Sequence, residues 1–492
     1  MALAAEAAAR PPPDEGRQPL YADRVKVYPQ RVSGLFRRIK WAVLIALLSI
    51  YYLVPWIRWN RGPGAPDQAV LVDMPGRRAY FFFIEIWPQE VYYLAGLLIL
   101  GAVGLFLATS LLGRVWCGFT CPQTVWTDLF MWVERWIEGD RNKRLKLDAA
   151  PLSAAKAGKK VAKHAVWLVI ALLTGGAWIM YFNDAPTVVR SIVTGQASAT
   201  VYGFVGLFTG TTYLLAGWAR EQVCIYMCPW PRFQSAMFDE HSLVVTYEAW
   251  RGEPRANAKA GTSPEGRGHC IDCGLCVRVC PTGIDIRDGQ QLDCIGCGLC
   301  VDACNGVMAK MGWPRELITY DSLANMNARA RGERPRYRFV RGRTIIYAAL
   351  VVIVAAIMAV SLATRSTAGL NVLQVRAPLF VRLSDGSIRN GYTLKIANKE
   401  RAVKTLRLTV SGLSGAELSV IGRQRAADGS ITVAVPPDSV GTFNAFVRMP
   451  AHLAAENEET EAEDSEHFKF QATDVTTGEV ASHEAVFSAP AR

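Results

Sequence analysis

Cys270-Ile271-Asp272-Cys273-Gly274-Leu275-Cys276-Val277-Arg278-Val279-Cys280-Pro281 and Cys294-Ile295-Gly296-Cys297-Gly298-Leu299-Cys300-Val301-Asp302-Ala303-Cys304-Asn305 are near-copies of one another. Each carries the spacing C-x2-C-x2-C-x3-C. Three thiolates at i, i+3 and i+6 wrap one face of a cubane [4Fe–4S] cluster, and the fourth crosses over to the other cluster. The spacing therefore assigns Cys270, Cys273, Cys276 and Cys304 to one cluster, and Cys294, Cys297, Cys300 and Cys280 to the other. Gly274 and Gly298 lack a side chain, so backbone amides can approach the sulfurs. Zinc knuckles and structural disulfides are the competing readings. A structural zinc takes four ligands per site rather than two interlocked sets, and disulfides fit badly in a reducing compartment. The stretch predicts a two-cluster ferredoxin unit that moves single electrons.

Outward from this stretch the chain reads as a membrane protein. Its 492 residues leave room for several domains. With 51% hydrophobic residues and a mean hydropathy of +0.14, it suits a part-membrane protein better than a soluble one. Five apolar runs, Trp41–Ile57, Val91–Leu112, Ala165–Phe182, Val201–Ala219 and Thr344–Ala363, approach the roughly 20 residues that cross a bilayer. Tyr51, Tyr52, Trp56 and Trp59, then Tyr92 and Tyr93, then Trp178 and Tyr181, sit at run ends as interfacial aromatics do. Reading these runs as buried core helices requires several large domains with little polar sequence between them.

Orientation follows from the Lys/Arg bias of short loops. Eight basic residues precede the first run, and ten lie in Gly113–His164. The first intervening loop has four, and Asn183–Thr200 has only Arg190. The basic segments are expected to be cytoplasmic, which puts the N-terminus inside and the C-terminus, after five crossings, in the periplasm. Residues 1–40 are polar, include Pro11–Pro13 and show no signal-peptide cleavage context, so a flexible cytoplasmic tail is expected. The net charge is +11; beyond Arg365 it is −2, which leaves +13 on the rest. Topology signal and attraction to anionic lipid account for this excess, and nothing supports nucleic-acid binding. All twelve cysteines lie at or before Cys304, on the expected cytoplasmic side or at its membrane edge. Thiolates in the reducing cytosol stay free to bind metal.

From about Leu370 the pattern changes to short alternating runs. Phe380–Leu383, Tyr392–Ile396, Lys404–Val410, Ser430–Val435, Thr442–Val447, Phe468–Ala472 and Glu484–Phe487 read as half-buried strands. Asp385-Gly386, Asn390-Gly391, Asp428-Gly429 and Pro436-Pro437 are read as the turns between several of them. About seven such strands predict an immunoglobulin-like sandwich without its disulfide. Glu456–Glu466 is read as a solvated acidic loop. The sandwich is either a docking platform for a partner protein or a passive cap.

The remaining cysteines form two further motifs, Cys117-Gly-Phe-Thr-Cys121-Pro122 and Cys224-Ile-Tyr-Met-Cys228-Pro229. Each C-x3-C-P follows the second run of a two-crossing hairpin, so the membrane part is an internal repeat. Proline biases the preceding cysteine out of helical geometry and suits the first position of a new helix. After Pro122 a stripe of Val125, Trp126, Leu129, Phe130, Trp132, Val133, Trp136 and Ile137 is read as an interfacial helix, with Gln123, Asp128, Glu134 and Arg135 polar. Cys121 and Cys228 would then sit at helix N-termini, where the dipole lowers a thiol pKa. Cys117, Cys121, Cys224 and Cys228 can converge on a soft metal ion. Alternatively they are small buried residues in tight turns. Absences also constrain function: there is no C-x-x-C-H for haem and no G-x-G-x-x-G for a nucleotide. His164 alone lies near a membrane run, so an intramembrane bis-histidine haem is excluded and electrons are expected from a separate donor.

The paired C-x3-C-P turns, Cys270-Ile-Asp-Cys273, Cys280-Pro-Thr-Gly-Ile-Asp-Ile-Arg287, Asp302-Ala-Cys304 and Tyr392-Thr-Leu-Lys-Ile-Ala-Asn-Lys399 resemble the cytochrome c oxidase accessory family (CcoG, FixG, RdxA) over nearly the whole chain. Asn305 replaces the proline that often follows the fourth cysteine and leaves the ligand set intact. The resemblance implies a multi-pass protein of the bacterial inner membrane that serves assembly of cbb3-type cytochrome oxidase. It implies oxidase subunits and copper-delivery proteins as partners, with reduction of Cu(II) to Cu(I) as the activity. Membrane ferredoxins of nitrate and nitrous oxide respiration share the layout. Copper would be substrate or transient ligand, with Cys117, Cys121, Cys224 and Cys228 as its expected catalytic and binding residues. Cu(I) is soft and favours thiolates, whereas Cu(II) prefers nitrogen and oxygen.

The expected architecture is a multi-domain membrane protein. It comprises a tail (1–40), a four-helix membrane domain with both C-x3-C-P turns (41–220), and a cytoplasmic segment (221–343) with an α+β 2[4Fe–4S] ferredoxin domain at about 260–310. A fifth transmembrane helix (344–363), completing an α-helical bundle, and an all-β immunoglobulin-like sandwich (370–492) follow. Three functions remain open at this point. They are a cupric reductase, an electron-transfer subunit feeding a quinone or periplasmic redox partner, and a structural oxidase-assembly factor.

Overall fold

The structure is a computed structural model and describes residues 26–62, 64–259, 261–263, 266–450 and 465–489. The chain divides into two compact units, 1–356 and 357–492.

The five apolar runs become helices. Among the described residues, Leu35–Trp56, Pro88–Leu112, Ala154–Met180, Ala199–Ala219 and Gly342–Ala363 are long and apolar enough to cross a membrane. Two of them start well before their apolar runs, for local reasons. The third begins at Ala154 because the Ser153 hydroxyl accepts from Lys156 N at 3.2 Å, a helix N-cap. The first begins at Leu35 because a distant carboxylate caps it: Asp302 accepts from Phe36 N at 3.2 Å and Arg37 N at 2.7 Å. Residues 26–34 are accordingly not a free tail, which corrects that expectation for the described part. Gln30 N donates to Arg278 O at 2.8 Å, and Arg144 Nη2 donates to Pro29 O at 2.6 Å. Residues 1–25 lie outside the described residues.

The helix expected after Pro122 is present as Pro122–Ile137. Its apolar stripe packs inward, with Phe130 stacked on Trp167 at 5.3 Å, while Trp132 and Trp136 stay exposed. Two of its polar positions are also inward. Asp128 bonds Arg37 through both oxygens at 2.9 Å, and Glu134 meets Arg220 at 2.5 Å and Arg144 at 2.9 Å. An ionised carboxylate tolerates burial only with such partners, so ion pairs as well as the apolar stripe anchor this helix inward.

The loop after the first helix forms an unexpected three-stranded meander, β1 (Val70–Asp73), β2 (Arg78–Phe81) and β3 (Ile84–Ile86). Fully buried Gln68 ties it to the next hairpin, donating to Met180 O at 2.6 Å and accepting from Ala185 N at 2.9 Å. The cysteine-rich segment is framed by an antiparallel pair, β4 (Leu243–Tyr247) and β5 (Ile318–Ser322), with Val245 opposite Tyr320. Between them lie the helices Leu275–Val279 and Leu299–Met311 over a core of Val245, Ile286, Val301, Met308 and Leu317.

The second unit is the expected sandwich. Its strands are β6 (Ala368–Gln374), β7 (Val381–Arg382), β8 (Ile388–Asn398), β9 (Lys404–Ser411), β10 (Glu417–Val420), β11 (Ile431–Val435), β12 (Ser439–Met449), β13 (Ser465–Asp474) and β14 (Val480–Ser488). One sheet runs β10-β12-β8-β6 with β7 also on β8, and the other runs β11-β9-β13-β14. Period-two burial builds the core: Ile431, Val433 and Val435 of β11 are buried while Thr432 and Ala434 are exposed. Tyr392 OH bridges the sheets to Val486 O at 2.7 Å. Asn390-Gly391 is no turn. Both residues lie inside β8, paired with Val447 and Phe446. β6, with Gly369 and Asn371, and four-residue β10 carry too weak an alternation to be read in advance. The expected acidic loop falls outside the described residues over 456–464.

Candidate electron-transfer site

The two cysteine loops share one backbone plan. The third residue of each has positive φ, Asp272 at 49° and Gly296 at 67°, and so does the fifth, Gly274 at 63° and Gly298 at 71°. These left-handed residues coil the chain so that successive cysteines turn to one side, after which a short helix begins. The glycines also answer to neighbours. A Cβ on Gly298 would lie 2.5 Å from the Phe36 ring, and one on Gly296 would lie 3.0 Å from Arg114 Cβ. No atom lies within 4 Å of a Gly274 Cβ, so conformation alone explains that residue.

The sulfurs fall into two groups. Burial pushes the Cys304 thiol up to about 12, and Cys276, Cys273 and Cys270 add to the rise. Burial likewise pushes Cys294 up to about 12, opposed by Gly296 N, with Cys297 and Cys280 adding. Cys300 is raised by burial and then by Cys297, Cys294 and Cys280, with Cys276 of the other group adding last. Each group offers four soft donors that bind iron as thiolates, releasing their protons as the metal enters. Such donor sets fit iron–sulfur cubes. Zinc would need four ligands at each of two separate sites rather than two interlocked x2-x2-x3 sets. Cys273 is exposed, whereas Cys297 is buried. The first group thus reaches the surface at Cys273.

The C-x3-C-P turns are structural copies as well. In each, a transmembrane helix is broken by a positive-φ residue four positions before the first cysteine: Gly113 (φ 61°, ψ −126°) and Arg220 (φ 48°, ψ −116°). A π-helical turn follows, Trp116–Thr120 in one and Val223–Met227 in the other. Each closes with an i to i−5 bond from the second cysteine, Cys121 N to Trp116 O at 2.8 Å and Cys228 N to Val223 O at 2.7 Å. Arg220 holds a conformation that glycine holds in the other copy, at a cost of order 1–3 kcal/mol. Its side chain is fixed there by Gly217 O at 2.8 Å and by Glu134. The four sulfurs share one environment: burial pushes Cys117 up to about 12, Cys121 adds, Arg114 opposes, and Cys224 and Cys228 add further. Cys121 caps the helix Pro122–Ile137, as expected, whereas Cys228 lies one residue before the cap Pro229.

These turns clasp the second cysteine loop. Cys117 and Cys224 pack in one cluster with Ile295, Cys297 and Leu299, beside Cys300. A Cβ on Gly118 would lie 2.9 Å from Ile295 O and 3.0 Å from both Cys297 Cα and Gly296 O, so only glycine lets the backbones touch. Arg114 Nη1 donates to Leu292 O and, at 2.7 Å, to Cys294 O, while its Nη2 donates to Pro231 O at 3.3 Å. Cys117 Sγ meets Gln234 Oε1 at 3.4 Å. Lys40, 2% exposed, opposes the burial that raises Cys297 and acts on Cys224 as well. Sequence reasoning missed Lys40, Arg114, Gln234 and Asp302. Asp302 lay inside the second cysteine motif and Arg114 beside a C-x3-C-P turn, but no spacing marked a role for either.

Comparison with known proteins accords with this arrangement. A family described as a 4Fe-4S dicluster domain matches residues 219–323, and one described as a 4Fe-4S binding domain matches 94–144. A third, an IG-like fold at the C-terminus of FixG, matches 358–490. "Nitrogen fixation protein FixG" of Rhizobium meliloti is 48% identical over 471 residues, covering 90% of this chain and 90% of that protein. "Protein RdxB" of Cereibacter sphaeroides is 48% identical over 482 residues, covering 97% and 98%. "Protein RdxA" of the same organism is 48% identical over 436 residues, covering 88% and 91%. With ferredoxin-type cysteine loops, five apolar helices and this degree of kinship, the chain belongs to the FixG/RdxA family of membrane iron–sulfur oxidoreductases.

Proposed function

We propose that this chain takes single electrons from a soluble cytoplasmic donor and delivers them to Cu(II) at the inner membrane, giving Cu(I) for assembly of a cbb3-type cytochrome oxidase. The observation that carries the reading is the clasp: a ferredoxin-type unit exposed at Cys273 on one side and held against the membrane-edge thiols through Gly118 on the other. Cys270, Cys273, Cys276 and Cys304 would hold one cluster, and Cys280, Cys294, Cys297 and Cys300 the other. Bound there, each cube supplies one-electron storage at a potential set by nearby charge and hydrogen bonds. The chain's own residues do the rest. Arg114 fixes the inner loop by its carbonyls, Gly296 N points at Cys294 Sγ at 3.4 Å, and Lys40 places a buried positive charge between the inner loop and Cys224.

Copper enters as substrate. The match between one electron per cluster and one electron per Cu(II) supports it. Soft Cu(I) also favours sulfur, which the membrane edge offers. Oxidase subunits and copper-delivery proteins are the partners this reading requires. A quinone is the second acceptor to test, favoured by a cavity of about 200 Å³ beside Cys294, lined by Arg114, Phe238, Gln290, Gln291 and Tyr320.

The deciding experiment uses anaerobic, prereduced full-length protein freed of excess reductant. Addition of Cu(II) should abolish the Cu(II) EPR signal and yield one chelator-trapped Cu(I) for each electron stored, at a rate the iron-free protein does not reach. Persistence of Cu(II) while a short-chain quinone reoxidises the clusters would reject copper and select the quinone.

A further inference from the structure

We propose that the arginine-lined pocket built by residues 331–338, at the foot of the fifth apolar helix, binds the phosphodiester headgroup of an anionic phospholipid. The proposal does not depend on which acceptor takes the electrons.

The sequence prepares the pocket. Arg334, Arg336 and Arg338 alternate with Pro335, Tyr337 and Phe339. Alternate side chains of an extended segment share a side, and the folded chain keeps that pattern. The three arginines line one open pocket of about 700 Å³ together with Arg331, Glu240 and His241. The rings of Tyr337 and Phe339 instead stack on each other at 6.0 Å. Buried Asn325 accepts from Arg336 N at 2.9 Å. The row is thus held by its backbone, and the guanidinium groups are left for another partner.

Charge says what that partner is. Arg331 is paired with Glu333 at 3.0 Å. Arg334, Arg336 and Arg338 are exposed and make no ion pair or side-chain hydrogen bond among the described residues. His241 has its Nδ1 buried with no hydrogen-bond partner among the described residues, and its Nε2 lies 3.6 Å from Glu240. With His241 neutral, four arginines against Glu240 and Glu333 give the lining two net positive charges. Basic residues of the segment 113–164 are satisfied within the protein, Lys160 by Glu138 and Asp148, Lys163 by Glu138 and Arg144 by Glu134. A topology signal needs only charge near a helix end. It does not call for unpaired guanidinium groups gathered in one pocket, whereas phosphate does, because the planar fork matches two of its oxygens at once.

Placement selects a lipid over a soluble anion or an acidic protein. Arg338 lies four residues before Gly342, where the helix Gly342–Ala363 begins. The turn that carries Glu240 and His241 is fastened to the end of the second apolar helix. Its Ser242 Oγ donates to Ser110 O at 2.7 Å, and Arg341 Nη2 donates to the same carbonyl at 2.7 Å while pairing with Asp239. One apolar helix ends and another starts here, which sets the pocket at the level of the headgroups. Between pocket and helix, Tyr337, Phe339 and Val340 are 56%, 49% and 81% exposed. Aromatic rings are favoured at a membrane interface, and a basic cluster beside a membrane helix attracts anionic lipid. A lipid therefore satisfies the arginines with its phosphate and the neighbouring apolar side chains with its acyl chains. A soluble anion satisfies only the first.

The test is lipid binding by full-length protein, delipidated in detergent and titrated with phosphatidylglycerol or phosphatidylcholine under native mass spectrometry. Wild type should retain phosphatidylglycerol in preference to zwitterionic phosphatidylcholine. R334Q/R336Q/R338Q should weaken phosphatidylglycerol about a hundredfold, since each basic residue near an anionic lipid surface contributes about fivefold. R334K/R336K/R338K, which keeps the charge, should recover most of that loss. Equal retention of the two lipids by wild type, or phosphatidylglycerol binding that the glutamine variant leaves unchanged, would overturn the proposal. So would arginine-dependent binding of polyglutamate with no binding of phosphatidylglycerol, which would assign the pocket to an acidic protein. If the triple variant does not accumulate, R336Q and R338Q alone should each weaken phosphatidylglycerol about fivefold, and no change in either would overturn the proposal as well.

Discussion

The hydrogen that Gly118 carries in place of a methyl group sets how closely the first C-x3-C-P turn approaches the inner cysteine loop. All three atoms that a Cβ would meet are backbone, at 2.9 to 3.0 Å, so no side chain can swing aside. Gly118→Ala should therefore destabilise the protein by about 1–3 kcal/mol through overpacking. It should also broaden the EPR signal of the inner ferredoxin cluster. Gly101→Ala, where a Cβ meets nothing within 4 Å, is the control and should cost no stability. Equal melting temperatures for the two variants in detergent would mean that the turn and the loop do not touch. At this scale the sequence was legible wherever ligands are adjacent in the chain, because x2 and x3 spacings are set by local backbone geometry. It was silent on Arg114 and Lys40. Lys40 acts on Cys224 and Cys297, and Arg114 on Cys294 as well as on neighbouring Cys117, and ordinary basic residues carry no sign of what they face.

Among elements, two carboxylates join parts of the chain that the sequence presents as separate. Asp302, on the helix Leu299–Met311, caps the first apolar helix through Phe36 N and Arg37 N. Carboxylate at a helix N-terminus is favoured both by these bonds and by the helix dipole. Asp302→Ala should cost about 1–2 kcal/mol of thermal stability, and Asp302→Asn, which can still accept, should recover most of it. Identical losses for Ala and Asn would show that the cap is not what Asp302 provides. Glu134 makes the second junction. Burial works against its charge, but Arg220, Arg144 and Lys163 outweigh burial and hold its carboxyl below the ordinary carboxylate range. Because the folded value is the lower one, its stabilisation is fully present above that range and is lost as pH falls through the folded value. Glu134→Gln should lower stability at neutral pH and flatten its decline in acid. An unchanged acid limb in a pH series of melting curves would reject this linkage. The stripe Val125–Ile137 announced a helix, but its partners were hidden: a polar residue on an amphipathic helix reads as solvated until the matching cations appear. The repeat of C-x3-C-P was legible, whereas the positive-φ Arg220 that mirrors Gly113 was not, since nothing in an arginine predicts a left-handed backbone.

At the scale of the whole molecule, the demands of lipid and of a β-core made most of the plan readable. About 20 apolar residues are required to cross a bilayer, and all five such runs recur as helices. A sandwich imposes period-two alternation, and each of the seven expected strands is present, joined by the weakly patterned β6 and β10. Sidedness is argued by charge. Ten Lys and Arg residues occupy 113–164 against one in 183–200. Several of the ten are paired in the folded chain, Lys160 with Glu138 and Asp148, Arg144 with Glu134. That pairing does not weaken the argument, because the bias acts on Lys and Arg near the ends of inserting helices and acidic residues contribute little. The cysteines agree with it, since none follows Cys304. A topology reporter fused near Gly266 should therefore be active only in the cytoplasm, and one fused after Arg365 only in the periplasm. Replacing Lys143, Arg144, Lys146, Lys159 and Lys160 by glutamine should weaken that orientation and leave a fraction of chains inverted. If the reporter after Arg365 is cytoplasmic in the unaltered chain, the clusters lie outside, a reducing donor cannot reach Cys273, and the proposed direction of electron flow fails.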